Sequence, residues 1–381
     1  MMEFSLRFPG RILFGRDERH ASADLIARYG ARVALVRGRS VDWADTLEDA
    51  LREAGRTVEV IISRGEPSYP DLRDALERLR EMRPDCVVAV GGGAVLDLGK
   101  ALAALIPAAS DPIVHFELVG EGRPLNAPPL PFIAIPTTAG TGAEATRNAV
   151  IQFPEHRRKV SLRDDRMMAS LAIVDPALTD RCPRAVTLAS GLDALTQVIE
   201  PYLCSRANIL TDALCRDAIP RAIHALVQLM AEESTNARDE MARASLFGGM
   251  ALGNAGLGAV HGFAGVIGGQ SGAAHGAICG RLLPGVLQAN RAAVASDAAM
   301  VARFDEVADW LGEGLAVAWT DAFTALERQI DEWGLPRLGA MGVDSDEIEE
   351  IARLSKSSSS MAANPVTLGE DVLCDILRAA F

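Results

Sequence analysis

The sequence predicts an α/β domain with a mostly parallel sheet, followed by an all-helical domain. Short β-branched runs alternate with helical patterns up to about residue 180, and a run of three glycines joins a buried strand to a helix. After residue 183 the β-type runs vanish and alanine- and leucine-rich helical patterns take over. A chain of 381 residues also exceeds the size at which single cores usually split. We therefore expect two domains, residues 1–182 and residues 183–381.

The predicted elements of the first domain alternate between strand and helix. The predicted strands cover residues 32–36, 58–62, 87–90 and 131–136. The predicted helices cover residues 43–53 and 71–82, and a third helix follows the glycines. This order is typical of a parallel sheet with helices on its faces. In the second domain, helical patterns cover residues 207–230, 237–252 and 299–333.

Composition and charge indicate which kinds of binding partner this protein has. A net charge of −13 argues against nucleic acid and against an anionic membrane surface. The six cysteines include no Cys-x-x-Cys pair, and the first residues lack the core of a signal peptide. No apolar run approaches the roughly 18 residues that a membrane-spanning helix needs. We expect a cytoplasmic protein with reduced thiols that acts on a small molecule.

The glycine run is the first candidate for a binding site. Gly91, Gly92 and Gly93 follow four apolar residues and precede a helical pattern that includes Asp97 and Lys100. Glycine lets the backbone approach an anion closely, and the start of the following helix attracts negative charge. The spacing matches neither the dinucleotide fingerprint with spaced glycines nor a P-loop. We interpret the turn as a phosphate cradle, with a plain strand-to-helix turn as the alternative.

Two other strand ends bear on the ligand. The run 137–144 combines small hydroxyls with glycines, as ligand-binding loops at the carboxyl end of a parallel sheet often do, although ordinary loops share this composition. The strand at residues 32–36 is followed by Arg37, Gly38 and Arg39, without the acidic residue that NAD sites usually place there. This pattern favours NADP. Solvated loop charges are the alternative interpretation.

Four side chains of the second domain are candidate ligands for a divalent metal. Asp193 and Gln197 are four residues apart and therefore share one face of a helix. His261 and His275 flank a segment whose glycines should break a helix and fold it back on itself. A carboxylate, an amide oxygen and two imidazoles would leave room for a substrate oxygen. Polar pairs four residues apart are also common on solvated helix faces, so spacing alone leaves this question open.

Taken together, four ordered motifs resemble the iron-containing (group III) alcohol dehydrogenases, over the whole chain. They are the glycine turn, the run 136–144, the helix start at 191–195 and the segment 254–261. The resemblance implies a Rossmann-like dinucleotide-binding domain, a helical domain and an active site in the cleft between them, which is the dehydroquinate synthase-like fold. It also implies a homodimer that transfers hydride between NAD(P) and a primary alcohol or aldehyde, with Fe²⁺ or alternatively Zn²⁺ polarising the substrate oxygen.

The resemblance assigns roles by position. The implied metal ligands are Asp193, Gln197, His261 and His275. The implied cofactor contacts are Gly38, Gly91, Gly92, Gly93, Asp97, Thr137, Thr138, Thr141 and Lys159. We expect no catalytic side chain beyond the metal ligands.

Two departures from the family pattern keep other functions open. Gln197 stands where the family has histidine, and a neutral amide oxygen is a weaker ligand than imidazole. Gly265 replaces a second family histidine, which removes a candidate for handling the proton. The alternatives are a metal-independent reductase of the maleylacetate type, a metal-dependent lyase or cyclase of the dehydroquinate synthase type, and a non-catalytic nucleotide-binding relative.

Overall fold

A computed structural model describes residues 4–381, which form two compact units. The α/β unit comprises Arg7–Thr138 and Gly142–Thr179. The helical unit comprises residues 4–6, Ala139–Thr141 and Asp180–Phe381. Most of each unit comes from one side of residue 180, but residues 4–6 and Ala139–Thr141 belong to the helical unit, so the domain bounds 1–182 and 183–381 stay a prediction.

The α/β unit contains eight strands and four α-helices. The strands are β1 (Ile12–Phe14), β2 (Arg32–Gly38), β3 (Thr57–Ser63), β4 (Cys86–Gly91), β5 (Phe132–Pro136), β6 (Asn148–Phe153), β7 (Arg158–Arg163) and β8 (Leu171–Val174). The helices are α1 (Ser22–Ile26), α2 (Trp43–Glu53), α3 (Tyr69–Met82) and α4 (Gly93–Leu105). All four strands predicted from the sequence are confirmed, and so are α2 and α3.

Six strands form one parallel sheet in the order β1-β8-β5-β4-β2-β3. The central strand β4 is buried along its whole length because both faces of the sheet are covered. Val87 and Ala89 belong to one hydrophobic cluster, whereas Val88 and Val90 belong to another, as the alternation of side chains along a strand requires. The remaining strands, β6 and β7, form a separate antiparallel hairpin that the sequence did not predict.

The strand order changes direction between β2 and β4. From β2 the chain first adds β3 on one side, and then returns to add β4 on the other side. Ligands of open α/β sheets bind at such a switch point, outside the carboxyl ends of the strands. Here the two carboxyl ends are Gly38 and Gly91. The fold therefore places the glycine turn at the position where a parallel sheet binds its ligand.

The helical unit contains nine α-helices and, within residues 180–381, no strand. They are α5 (Arg184–Leu203), α6 (Ile209–Ala231), α7 (Thr235–Asn254), α8 (Ala259–Ser271), α9 (His275–Ala293), α10 (Ala298–Leu315), α11 (Ala322–Glu332), α12 (Ile348–Ser355) and α13 (Glu370–Ala379). The helical pattern predicted over 299–333 is interrupted, because Ala316 ends α10 in the left-handed region with φ 56°.

The predicted helix break between His261 and His275 is confirmed, but a single glycine makes it. Gly262, Gly265, Gly268 and Gly269 all lie inside α8, because the packing of a buried helix outweighs the weak helix propensity of glycine. The chain turns only at Gly272, which is in the left-handed region with φ 71°. The turn is short, so α9 begins at His275.

In the part of the chain that the structure describes, no single helix is long and apolar enough to cross a membrane. Only α7 and α8 taken together reach the required length and hydropathy, and they are bent by 98° at the break between them.

Candidate metal centre and cofactor-binding turn

Four side chains of the helical unit bring donor atoms to one point. Asp193, His261, His275 and Cys279 each offer one ligand atom, and these atoms all lie within 4.8 Å of one another. Asp193 Oδ1 is 3.5 Å from His261 Nε2 and 3.9 Å from His275 Nε2. Asp193, His261 and Cys279 are buried, whereas the side chain of His275 is 32% exposed. The cluster is therefore enclosed on most sides, with His275 at its accessible edge.

Two glycines of α9 allow this convergence. A Cβ at Gly276 would lie 2.3 Å from the carbonyl oxygen of Ala189, and a Cβ at Gly280 would lie 2.5 Å from Leu192 Cδ1. Both distances are far below van der Waals contact, so only glycine lets α9 approach α5 this closely. Since Gly276 and Gly280 are four residues apart, they share a helix face. This contact brings the first turn of α9 against Asp193 on α5.

Glu200 lies behind the cluster and was missed by the sequence analysis. Its Oε2 is 2.6 Å from His261 Nδ1, and its Oε1 accepts the backbone N–H of Val260 at 2.7 Å. An imidazole that binds a metal through one nitrogen typically bonds a carboxylate through the other. Glu200 is seven residues after Asp193, two turns of α5, and this spacing was the only sequence signal for it.

Gln197 takes a position one turn after Asp193 on α5. Its Nε2 donates a hydrogen bond to the carbonyl oxygen of Gly140 at 3.1 Å, which fixes the amide. The buried Oε1 of Gln197 and the buried Oδ1 of Asp193 have no hydrogen-bond partner among residues 4–381. Buried oxygens without a donor are costly unless a cation or another donor satisfies them. The site thus presents two unsatisfied oxygens beside two imidazoles.

The ionisable groups of the cluster shift one another's pKa values. Burial disfavours a charged imidazole, but the thiolate of Cys279 and the carboxylate of Asp193 outweigh it and raise the pKa of His275 to about 9. The pKa of His261 is raised well above its ordinary value for the same reasons, with Glu200 adding to the effect. Burial opposes ionisation of the Cys279 thiol, but the two imidazoles hold its pKa below its usual value. These imidazoles must release protons when a cation binds.

The glycine turn of the α/β unit has the features of an anion site. α4 begins at Gly93, and among the described residues neither a capping side chain nor an acidic residue of the first turn occupies its start. A Cβ at Gly92 would lie 3.2 Å from Thr138 Oγ1, and the N–H of Thr137 donates to the carbonyl oxygen of Gly91 at 3.0 Å. Backbone amides at an uncapped helix start attract phosphate groups.

Two charged residues of the glycine motif have structural partners. Lys100 is fully buried, and its Nζ donates to Ala143 O, Thr146 Oγ1 and Asn148 O at 2.6, 2.8 and 2.9 Å. Asp97 Oδ2 accepts the backbone N–H of Val150 at 3.0 Å. Both side chains thus connect α4 to the segment that leads into β6. The motif therefore combines a ligand-type turn with internal anchors, and a cofactor contact of Asp97 stays a prediction.

The two arginines that follow β2 differ in exposure. Arg37 is buried, forms an ion pair with Asp45 and donates to the carbonyl oxygen of Val41 at 3.0 Å. Arg39 is exposed beside the half-buried Gly38. A Cβ at Gly38 would lie 3.4 Å from Val41 Cγ2, an ordinary contact. Of the two basic side chains, Arg39 is the one on the surface next to the sheet's switch point.

Lys159 on β7 is an unusual lysine. Its side chain is only 3% exposed, and its Nζ lies 3.4 Å from Glu66 Oε1. Within residues 4–381 this buried ammonium has no hydrogen-bond partner. Thr137, Thr138 and Thr141, the other predicted cofactor contacts, are half-buried. A cofactor contact of these four residues stays a prediction.

The two units together have the parts of a dinucleotide-dependent metalloenzyme: a parallel sheet with an anion-binding turn at its switch point, and a buried cluster of metal-ligand type. Comparison with known proteins gives the family. Residues 9–176 match the model of the iron-containing alcohol dehydrogenases, and residues 187–381 match the C-terminal model of the same family. The chain belongs to the iron-containing alcohol dehydrogenase family.

Individual relatives agree over nearly the whole chain. The NAD-dependent methanol dehydrogenase of Bacillus methanolicus is 30% identical, with 98% of each chain covered. The 1,3-propanediol dehydrogenase of Klebsiella pneumoniae is 35% identical over 87% of this chain and 85% of its own. A crystal structure of 1,3-propanediol oxidoreductase superimposes with a TM-score of 0.90 at 30% identity and full coverage of both chains. The protein is therefore an oxidoreductase of the alcohol dehydrogenase type, and its family supports NAD and a metal as cofactors.

Proposed function

We propose that this protein transfers a hydride between NAD(P) and a small primary alcohol or its aldehyde, at a metal site formed by Asp193, Gln197, His261 and His275. One observation carries the proposal. The donor atoms of Asp193 and the two histidines converge within 4.8 Å in the buried part of an alcohol dehydrogenase fold. The relatives named for methanol and 1,3-propanediol support a short-chain substrate.

The residues present fit a divalent cation. Asp193 Oδ1 and Gln197 Oε1 are buried oxygens without a donor, and both are hard ligands that suit Fe²⁺ or Zn²⁺ together with imidazole. When bound, the cofactors supply the chemistry, since a nicotinamide carries the hydride and a divalent ion polarises the substrate oxygen.

The chain's own residues then orient and hold these groups. Asp193 supplies negative charge at the site, and Glu200 fixes the His261 ring so that Nε2 faces Asp193. The partly exposed His275 lies where a small substrate can reach the site. At the glycine turn, the backbone of Gly91, Gly92 and Gly93 would hold the pyrophosphate of the cofactor.

Further parts of the proposal concern the cofactor and the assembly. Lys159 supplies a cation to the cofactor ribose, and Asp97, Thr137, Thr138 and Thr141 are further cofactor contacts. Arg39 and the small Gly38 permit the additional phosphate of NADP. The six cysteines are all free, in keeping with a cytoplasmic enzyme. We further propose a homodimer, as the family resemblance implies.

The test is oxidation of NADH and NADPH with a panel of short aldehydes, before and after chelation and after addition of Fe²⁺ or Zn²⁺. Loss of activity on chelation and recovery with one ion is expected. Activity that is indifferent to chelation would contradict the metal site and favour the metal-independent reductase suggested by Gln197.

A matched pair of variants separates the metal site from the cofactor site. We expect Asp193→Ala to abolish metal-dependent turnover. The dissociation constant of NADH, measured by fluorescence, should stay within about twofold of wild type, which corresponds to about 0.4 kcal/mol in binding free energy. Asp309→Ala, at an exposed position of α10, is the control. Full activity of Asp193→Ala would exclude Asp193 as a ligand.

A further inference from the structure

We propose that Cys279 is a metal ligand, and that its thiolate supplies the fourth protein donor beside Asp193, His261 and His275. The inference rests on the metal site of the proposed function. It goes beyond that site because it makes the thiolate of Cys279, rather than the neutral amide oxygen of Gln197, the fourth protein ligand. The sequence alone predicts only that the six cysteines are reduced thiols.

Geometry supports this assignment. Cys279 Sγ is 3.7 Å from His275 Nε2, and Asp193 Oδ1 is 3.5 Å from His261 Nε2 and 3.9 Å from His275 Nε2. Zinc bonds of about 2.0–2.1 Å to nitrogen or oxygen and about 2.3 Å to sulfur, at tetrahedral angles, separate N and O ligands by about 3.3 Å and N and S ligands by about 3.6 Å. The measured separations are close to these edges, so small side-chain shifts suffice to bind an ion.

The position of Cys279 follows from the helix contact that builds the site. Cys279 is four residues after His275 and therefore on the same face of α9. The glycines of that helix, Gly276 and Gly280, let this face approach α5. By contrast, Cys215 is equally buried but belongs to no cluster of three or more such donors within residues 4–381, where the group around Asp193 is the only one.

Donor strength favours the thiolate over the amide. Two carboxylates already face the position of a divalent ion, Asp193 directly and Glu200 through its hydrogen bond to His261. Ionised Cys279 is a stronger donor than a neutral amide oxygen, and its proton leaves to solvent on metal binding. Gln197 offers only a neutral oxygen, because its Nε2 donates to the carbonyl oxygen of Gly140 and its Oε1 carries no charge. Cys279 thus makes up for the imidazole that is absent at position 197.

The choice of metal follows from the softer donor. Thiolate together with imidazole favours Zn²⁺ over Fe²⁺, both because sulfur is a soft ligand and because Zn²⁺ binds nitrogen and sulfur sites more tightly.

The experiment uses the full-length protein loaded with Co²⁺ after chelation, since cobalt reports on its ligands by absorption. We expect a thiolate-to-cobalt charge-transfer band in the near ultraviolet for the wild type, together with visible bands of bound cobalt. Cys279→Ala should lose the charge-transfer band and bind Zn²⁺ at least about tenfold more weakly. Loss of a residue that only hydrogen-bonds to a metal ligand already lowers metal affinity by about that factor. Cys215→Ala, which removes another fully buried thiol, should retain the band.

The outcomes distinguish the two proposals. Visible bands of bound cobalt without a charge-transfer band in the wild type would overturn Cys279 as a ligand and leave the metal site standing. The wild-type spectrum gives this answer even if Cys279→Ala does not fold. An unchanged charge-transfer band in a folded Cys279→Ala variant would also overturn it. If the wild type binds no cobalt at all, both the ligand and the proposed metal site fail.

Discussion

Glu200 Oε2 lies 2.6 Å from His261 Nδ1, and His261 Nε2 lies 3.5 Å from Asp193 Oδ1. The imidazole therefore lies between two carboxylates, hydrogen-bonded to Glu200 through Nδ1 and facing Asp193 with Nε2. Because Glu200 also accepts the N–H of Val260 at the start of α8, the backbone of the helix that carries His261 is bound to the same carboxylate. The orientation of His261 is thus determined by two contacts to one residue.

Glu200→Gln is expected to weaken metal binding by about 10–100-fold, because an amide orients the imidazole less firmly and adds no negative charge. The glutamine oxygen can still accept a hydrogen bond, so the melting temperature of the metal-free protein should change little. Competition with a chromophoric chelator measures the affinity. Glu313→Gln, at an exposed position of α10, is the control. Equal metal affinity in both variants would rule out the orienting role of Glu200.

Gly276→Ala should push α9 away from α5, since the new Cβ would lie 2.3 Å from the carbonyl oxygen of Ala189. We expect a loss of about 1–3 kcal/mol in the free energy of unfolding, measured with urea, and weaker metal binding. Gly265→Ala is the matched control, because a Cβ there has no described atom within 4 Å. That variant should gain about 0.5–1 kcal/mol from the greater helix propensity of alanine. Similar stabilities of the two variants would show that the close contact is unimportant.

Gly38→Asp should lower the use of NADPH relative to NADH by about tenfold, equivalent to about 1.4 kcal/mol, because a carboxylate beside the ribose repels a phosphate and accepts hydrogen bonds from hydroxyls. The backbone tolerates a side chain here, where a Cβ would make an ordinary contact of 3.4 Å with Val41. The measurement is the ratio of kcat/KM for the two cofactors. Gly38→Asn has the same size without the charge and should change the ratio less. An unchanged ratio in Gly38→Asp would remove Gly38 from the cofactor site.

Glu144 should make the stability of the protein depend on pH. Burial raises the pKa of its carboxyl from 4.5 in an exposed chain to about 7 in the fold. The folded state therefore keeps a proton that the unfolded state has lost, so stability falls as the pH rises from about 4.5 to about 7. The free energy of unfolding should change by about 3 kcal/mol from this group across that range.

Glu144→Gln removes the titration, so urea unfolding of this variant should be less dependent on pH between about 4.5 and 7. Glu155→Gln, an exposed position before β7, should behave like wild type. The same slope in wild type and in Glu144→Gln would mean that another group causes the pH dependence.

Much of the fold is determined by local sequence. The apolar runs of β2, β4 and β5, the amphipathic α2 and α3, and the loss of β-type runs after residue 183 all depend on residue order within one element. The glycine turn is equally local, because a buried strand, three consecutive glycines and a helical pattern follow one another directly in the sequence. The antiparallel hairpin of β6 and β7 was not predicted, since polar and charged residues interrupt the apolar residues of both strands and neither forms a continuous apolar run.

The candidate ligands divide in the same way. Asp193 and Gln197 share a helix face by spacing alone, and the sequence could name His261 and His275 as a pair. The sequence could not show that Cys279 and Glu200 lie beside these ligands. Nor could it show that Lys100 and Arg37 form hydrogen bonds and ion pairs with other residues of the same unit. Those facts depend on how closely α9, α8 and α5 approach, and that distance is set by Gly276 and Gly280 on one helix against Ala189 and Leu192 on another. Residue type and spacing thus determined which elements form, whereas side-chain contact between distant helices decided which atoms meet.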